Sequence, residues 1–362
     1  MLRTILRSIA FVFMVTLLAG AYWLFIVTGP PAKRPDLVNV PASLGAPPRG
    51  FMSEGLLYAA FALHKIGWYS LDVLDADATV SVPPEIKEET NIVYGTGGGN
   101  PLELDLYSPD YLSGPVPGII FIHGGGWRTG KRQDYKFYTT RFAKHGYVVA
   151  TISYRLKEAG YFPNCVEDVK CAVRWMRANA EKLHVDPNRI AVIGGSAGGH
   201  LSMMAGYSSD VPEFEGTGGN PGVSSAVQAV IDLYGPVDFT VAETRDHPLL
   251  TGFMQGTYEQ VPDKFVKASP ITYLDPRDPP TLIIHGTIDS LVPVEQSDML
   301  AEKMKAMGNM YWYDRIDGWP HAMDIANPVN QRVEKVAIAF LQEVFGPATP
   351  KAAPEGVLPD VR

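Results

Sequence analysis

One stretch constrains this chain more than any other: Gly194-Gly195-Ser196-Ala197-Gly198, directly after the apolar run Arg189-Ile190-Ala191-Val192-Ile193 and directly before Gly198 to Gly206, which can start a helix. A strand, a sharp turn and a helix are thereby compressed around one serine, whose hydroxyl stands at the apex. A bare G-x-S-x-G is weak evidence by itself. Here it has company: His123-Gly124-Gly125-Gly126-Trp127 upstream, His285-Gly286-Thr287-Ile288-Asp289 downstream, and Gly318-Trp319-Pro320-His321 beyond that.

Apolar runs and helical patterns alternate around this turn. Gly118 to His123 and Tyr147 to Ser153 are continuous apolar runs of the kind expected for strands buried on both faces. Ile190 to Ile193, Val227 to Tyr234, Thr281 to His285 and Met310 to Ile316 read as further strands. Helices are expected over Asn164 to Leu183, where Val166, Val169, Val173 and Met176 repeat at three and four, after the serine, and over Gln331 to Phe345. The implied fold class is α/β, a mostly parallel central sheet with helices on both faces. Pro236 to Asp278 is too long for a simple crossover and carries Phe239, Phe253, Met254, Tyr258 and Phe265, so a small lid over Ser196 is expected there.

The ends differ from this body. Arg3 and Arg7 precede an uncharged, almost wholly apolar run from Ile9 to Val27, which at about 1.5 Å per residue approaches the thickness of a bilayer core. Residues 1–28 are therefore expected to form a transmembrane anchor, or a secretory signal cleaved near Ala19-Gly20-Ala21, with the domain on the non-cytoplasmic side. Residues 29–50, with six prolines, read as an extended, semi-rigid linker. Residues 51–80 read as a helical segment, 81–346 as the catalytic domain and 347–362 as a disordered tail. A net charge of −8 leaves no basic stripe for nucleic acid, and no Walker-type glycine loop is present. The two cysteines, Cys165 and Cys171, are six apart on one expected helix, too far round and along it for a disulfide, and they form no metal-binding pattern.

A serine hydroxyl is a weak nucleophile at neutral pH and needs a base, which in turn needs an acid to fix its tautomer. Ser196, His321 and Asp289 are the candidates for those roles, the latter two each on a turn after an expected strand. An attacked carbonyl also needs fixed N–H donors for its oxyanion. Gly125, Gly126 and Ala197 are assigned to that hole, with Gly124 shaping the turn and His123 bracing the loop. Taken singly, each has a duller reading: a turn glycine, a surface histidine, a helix-capping aspartate. Asp238, also after an expected strand, is the competing acid. Trp127 is expected beside the oxyanion loop, Arg155 and Asp168 as internal polar partners, and Trp319 against the pocket or over His321. No metal or organic cofactor is required.

From about residue 88 to 345 the chain resembles the α/β-hydrolase superfamily, and within it the bifunctional feruloyl and acetyl xylan esterases and the hormone-sensitive-lipase-like carboxylesterases. The residues carrying the resemblance include Phe162-Pro163, Glu167-Asp168-Val169-Lys170, Val185-Asp186-Pro187-Asn188-Arg189-Ile190, Gly194 to Leu201 and Asp232-Leu233-Tyr234-Gly235-Pro236. The resemblance implies a serine carboxylesterase or deacetylase acting on small or carbohydrate-linked esters through an acyl-enzyme. Alternatives are an arylformamidase-type amidase, or a non-catalytic hydrolase-fold binding protein. The family's histidine is usually followed, two residues on, by phenylalanine; Ala322-Met323 stands here instead, so a different acyl pocket is expected.

Overall fold

The computed structural model describes residues 33–50, 53, 55, 57 and 81–348. The expected N-terminal transmembrane segment and most of the 51–80 helical segment lie outside these, as does the tail from 349. Among the described residues no helix is long and apolar enough to cross a membrane.

Eight strands form one sheet: β1 (Ile86–Gly97), β2 (Asn100–Pro109), β3 (Val116–Ile122), β4 (Val148–Ile152), β5 (Val185–Gly195), β6 (Ala229–Leu233), β7 (Thr281–Gly286) and β8 (Tyr311–Ile316). Their spatial order is β1-β2-β4-β3-β5-β6-β7-β8. The pairs β1·β2 and β2·β4 are antiparallel and the remainder are parallel. This is the α/β-hydrolase fold, and all six strands expected from sequence are present. The β1–β2 hairpin is an addition. Its first strand opens Ile86-Lys87-Glu88-Glu89-Thr90 at the sheet edge, largely exposed, and so lacks an apolar run to betray it.

The helices are α1 (Lys136–Lys144), α2 (Asn164–Ala178), α3 (Ala180–Leu183), α4 (Ala197–Tyr207), α5 (Ala242–Arg245), α6 (Pro248–Met254), α7 (Pro262–Ala268), α8 (Glu295–Met307) and α9 (Asn327–Phe345). The single helix expected over 164–183 is broken at Asn179, whose side chain donates to the Trp175 carbonyl (2.8 Å) and so competes with helix continuation. Alternate side chains of the central strands feed two cores. Ile120, Val192 and Val230 face α2, α4 and α8; Phe121, Ile193 and Ile231 face α1 and α9. Each such fully buried side chain stabilises the fold by about 1.5–3 kcal/mol, which is why these strands read as unbroken apolar runs. Cys165 and Cys171 are buried and free, on α2 as expected.

The described part of the proline-rich segment, residues 33–50, holds a turn at 35–37 and one turn of 3-10 helix (Ala42–Leu44), and it runs along the domain. Leu37 is buried in the core. The Asn39 side chain bonds the β8 edge at both ends of its amide, donating to Tyr311 O (2.8 Å) and accepting from Tyr313 N (2.8 Å). Arg332, ion-paired to Asp314 (2.7 Å), also donates to the carbonyls of Leu44 and Gly45. The segment thereby covers an open sheet edge that would otherwise present unpaired backbone groups. Between it and the domain, Gly55 and Leu57 are helical and Leu57 is buried.

Ile193, fully buried two residues before Gly195, tests how much the central strand depends on this packing. Ile193→Ala is expected to cost about 2–5 kcal/mol, read as a lowered urea midpoint; an unchanged midpoint would contradict it.

Candidate active site

Four turns converge at the carboxyl ends of parallel strands, where open α/β sheets place their functional groups. They follow β3, β5, β7 and β8. Ser196, between β5 and α4, has φ 57° and ψ −122°, a left-handed region that non-glycine residues rarely occupy and that commonly marks functional sites. The surroundings hold it there: Ser196 N donates to Leu233 O (2.9 Å) and His200 N to Ser196 O (3.0 Å). The approach of β3 is so close that a Cβ on Gly198 would lie 2.0 Å from the Ile122 carbonyl oxygen. This is why the turn requires glycine at that position.

The Ser196 hydroxyl lies 2.9 Å from His321 Nε2, and His321 Nδ1 lies 2.7 Å from Asp289 Oδ2. A carboxylate can only accept, so Nδ1 carries the proton and Nε2 is left to accept from Ser196. Asp289 and His321 are buried, whereas Ser196 is half-buried. Burial alone would raise the Asp289 pKa. The nearby imidazoles of His321 and His285 and their hydrogen bonds outweigh it and hold the carboxyl far below the usual range. Its other oxygen accepts from Leu291 N (3.0 Å) and Val292 N (2.8 Å). Asp238, the competing acid, instead caps its own turn by accepting from the amide and hydroxyl of Thr240 (2.8 and 2.7 Å).

His285 has a role that sequence reasoning missed, although the H-G-x-x-D motif contains it. Its Nε2 donates to Asp289 Oδ2 (3.1 Å) and Val292 O (2.9 Å), while Nδ1 pairs with the Ser297 hydroxyl (2.7 Å). Fully buried, it holds the same carboxylate oxygen that His321 Nδ1 contacts.

Gly125 and Gly126 line the same cavity as Ser196 and Ala197. The Gly125 carbonyl is pinned by Arg128 N, Thr129 N and Thr129 Oγ1, each at 3.1 Å, which turns it into the loop. His123 braces that loop: its Nδ1 donates to Gly124 O (2.8 Å), its ring stacks on Tyr154 at 4.4 Å, and Tyr154 donates to its carbonyl (2.8 Å). Burial pushes the His123 imidazole down and so keeps it neutral. Trp127 stacks on Phe253 of the 236–278 segment expected as a lid (4.3 Å) and donates to His200 Nδ1 (3.2 Å). His200, on α4, in turn donates from Nε2 to Ala268 O at the end of α7 (2.8 Å). Burial holds its pKa near 4, so it stays neutral while linking lid, serine helix and glycine loop. The motif that holds Ser196 also contains His200, but nothing in its spacing reveals these partners.

The cavity has a volume of about 840 Å³. Phe239, Leu249 and Leu250 of the lid segment, with Leu291, Val292 and Ile325, give it apolar walls, while Lys131, Asp134 and Glu243 stand exposed around it. Two expectations are narrowed. Trp319 is wholly buried, donates to Pro48 O (2.9 Å) and does not line the cavity. Met323 also turns into the core, and of the pair after His321 only Ala322 faces the cavity. Arg155 and Asp168 pair internally as expected (2.7 Å).

A second buried carboxyl, Asp324, was not foreseen. Tyr234 donates its hydroxyl to Asp324 Oδ1, and its ring meets that of His321 edge-on at 5.0 Å. Both line the cavity, and Tyr234 has φ 46°. Among the described residues no group of three or more His, Cys, Asp and Glu could hold a metal ion.

A family model described as BD-FAE matches residues 104–304. Esterase LipC of Mycobacterium tuberculosis is 34% identical over 258 residues, 68% of this chain and 64% of LipC. The probable carboxylic ester hydrolase LipM of the same organism is 32% identical over 268 residues, 70% of this chain and 61% of LipM. The chain thus spans less than two thirds of the length of these relatives. Among solved structures, the butyrate-bound esterase Est2 of Thermogutta terrifontis superposes with a TM-score of 0.64 at 29% identity, covering 74% of this chain and 97% of that one. A bifunctional GH43-CE protein of Bacteroides eggerthii gives 0.65 at 28%, covering 72% of this chain and 38% of that one.

The surroundings of Asp324 generate a pH prediction. Burial raises its pKa to about 6, against the Tyr234 hydrogen bond that lowers it. An ordinary aspartate titrates near 4, so ionising Asp324 costs nothing below about pH 4, progressively more up to about pH 6, and a constant amount above. Asp324→Asn should therefore gain stability relative to the native protein as pH rises from about 4 to 6, then level off. Thermal midpoints measured across that range would contradict this if the difference stayed flat or fell.

Proposed function

The chain belongs to the BD-FAE family, and on that premise we propose that it is a serine carboxylesterase, hydrolysing small or carbohydrate-linked esters through an acyl-enzyme on Ser196. One observation carries the reading: the unbroken series from Ser196 Oγ through His321 (2.9 Å) to Asp289 (2.7 Å), opening on a cavity of about 840 Å³. The ester-hydrolysing relatives support the bond type.

In this mechanism Ser196 Oγ bonds to the ester carbonyl carbon as its proton passes to His321 Nε2. The carbonyl π electrons move onto oxygen, and the resulting oxyanion is received by the N–H groups of Gly125, Gly126 and Ala197. Loss of one such donor typically costs about 2.7–4 kcal/mol of barrier. When the intermediate collapses, the C–O bond to the alcohol breaks and the imidazolium returns its proton to the leaving oxygen. Water repeats the sequence on the acyl-enzyme, regenerating Ser196 and releasing the acid. Asp289 keeps Nδ1 protonated throughout and offsets the positive charge that His321 acquires. The uncharged run Ile9 to Val27 supports the further reading that the domain is tethered on the non-cytoplasmic side of a membrane, which carbonate extraction of the membrane fraction would test.

Ser196→Ala is expected to lower kcat for p-nitrophenyl acetate by at least about 10⁴-fold with circular dichroism unchanged. Asp289→Asn should lower it by about 10⁴-fold by imposing the wrong tautomer, and Asp238→Asn only slightly. Native turnover in Ser196→Ala, or the opposite ranking of the two aspartates, would overturn the assignment. Preference for N-formyl-kynurenine over the ester would move the reading to an amidase.

A further inference from the structure

Residues 48–50 belong to the segment that joins the N-terminal apolar stretch to the domain, outside the 104–304 region that the family model matches. His321 also lies outside that region, and the two are in contact through the loop that carries it. Pro48 O accepts from the indole N–H of Trp319 (2.9 Å), two residues before His321. Gly50 N donates to Asp317 O (2.8 Å). Gly50 and Gly318 are packed so tightly that a Cβ on Gly50 would lie 1.7 Å from the Gly318 carbonyl oxygen.

The same loop is tied on its other side to the turn bearing Asp289. Gly318 N donates to Thr287 Oγ1 (2.8 Å), Thr287 N to Ile316 O (3.1 Å) and Ile288 N to Trp319 O (3.1 Å). The 317–320 loop is therefore clamped between the Asp289 turn and the N-terminal strap. The strap itself is held along its length by Leu37, Asn39 and the Arg332 contacts to Leu44 and Gly45. We propose that Pro48 and Gly50 are positioning residues for His321, so that this end of the segment, where it meets the histidine loop, is a working part of the reaction and not only a connection. The inference rests on the esterase reading for its kinetic consequence, but the His321 to Asp289 hydrogen bond it protects is a physical property of the protein by itself.

The physical reason is one of precision. A base must hold its nitrogen within hydrogen-bond reach of the nucleophile, and misplacement by about 1 Å can cost on the order of 100-fold in rate. None of the strap's described residues lines the cavity, so lifting it should alter catalysis without altering the substrate contacts described.

The test uses the full chain in four forms: native, Gly50→Val, Asn39→Ala and Trp319→Phe. The valine cannot fit against Gly318, so it lifts the strap from the histidine loop. Removing the Asn39 amide loosens the strap at β8, away from that loop. Gly50→Val is expected to lower kcat by about 10- to 100-fold with KM changed less than about 3-fold. It should also abolish or shift the downfield imidazole proton that nuclear magnetic resonance detects between His321 Nδ1 and Asp289. Asn39→Ala is expected to lower the thermal midpoint while leaving kcat and that proton unchanged. Trp319→Phe, which keeps a ring in place but removes the donor to Pro48 O, should fall between the two in both readouts and covers the case in which Gly50→Val does not fold. An unperturbed proton resonance in Gly50→Val, or losses in kcat that merely track the thermal midpoint across all variants, would overturn the proposal. A native protein that shows the resonance but cleaves no ester would overturn the esterase reading and leave the strap's role to the resonance alone.

Discussion

A charge removed from water has to be surrounded, and the Asp289 carboxylate shows how much of this site follows from that requirement. Desolvating a carboxylate costs several kcal/mol even after relaxation, and only good geometry recovers it. Four donors meet it: the amides of Leu291 and Val292 on one oxygen, and the rings of His285 and His321 on the other. The two amides fix the turn after β7, and His321 ties that turn to the one after β8. Because Asp289 stays ionised, the tautomer of His321 follows, and with it the availability of Nε2 to accept from Ser196.

The sheet makes this meeting possible. Strands β5, β6, β7 and β8 are consecutive neighbours in parallel, so turns distant in sequence open at one rim. Packing on both faces gives that rim the rigidity to hold Ser196 in a conformation that a free peptide would avoid. The lid adds a second set of constraints, since the Trp127–Phe253 stack and the His200 bridge tie it to the glycine loop and the serine helix. The cavity thus opens between elements joined by ring stacking and neutral hydrogen bonds, and on the proposed esterase reading its apolar walls would favour the acyl or aryl portion of an ester.

Much of this was legible in the chain because buried parallel strands must be apolar throughout and because the sharp turn between β5 and α4 forces small residues around Ser196. The runs at Gly118, Tyr147 and Ile190 reveal themselves for that reason. The β1 strand does not: its exposed Lys87, Glu88 and Glu89 carry no apolar period, and only the Gly98-Gly99 turn before Asn100 marks the hairpin. The proline-rich segment was read as a linker, and composition says nothing of what such a chain lies against. Here that is the β8 edge and the histidine loop. His200, His285, Tyr234 and Asp324 were hidden for a related reason. Their roles rest on partners far away in sequence, and the sequence patterns that contain three of them do not reveal those partners.

The central claim is that the Ser196 hydroxyl is activated by its surroundings, and the most direct measurement is covalent. Treating the native protein with a fluorophosphonate and mapping the adduct by peptide mass spectrometry should place a single stoichiometric phosphonyl group on Ser196, with other serines unmodified. Absence of an adduct, or its appearance on a different residue, would contradict the mechanism at its first step.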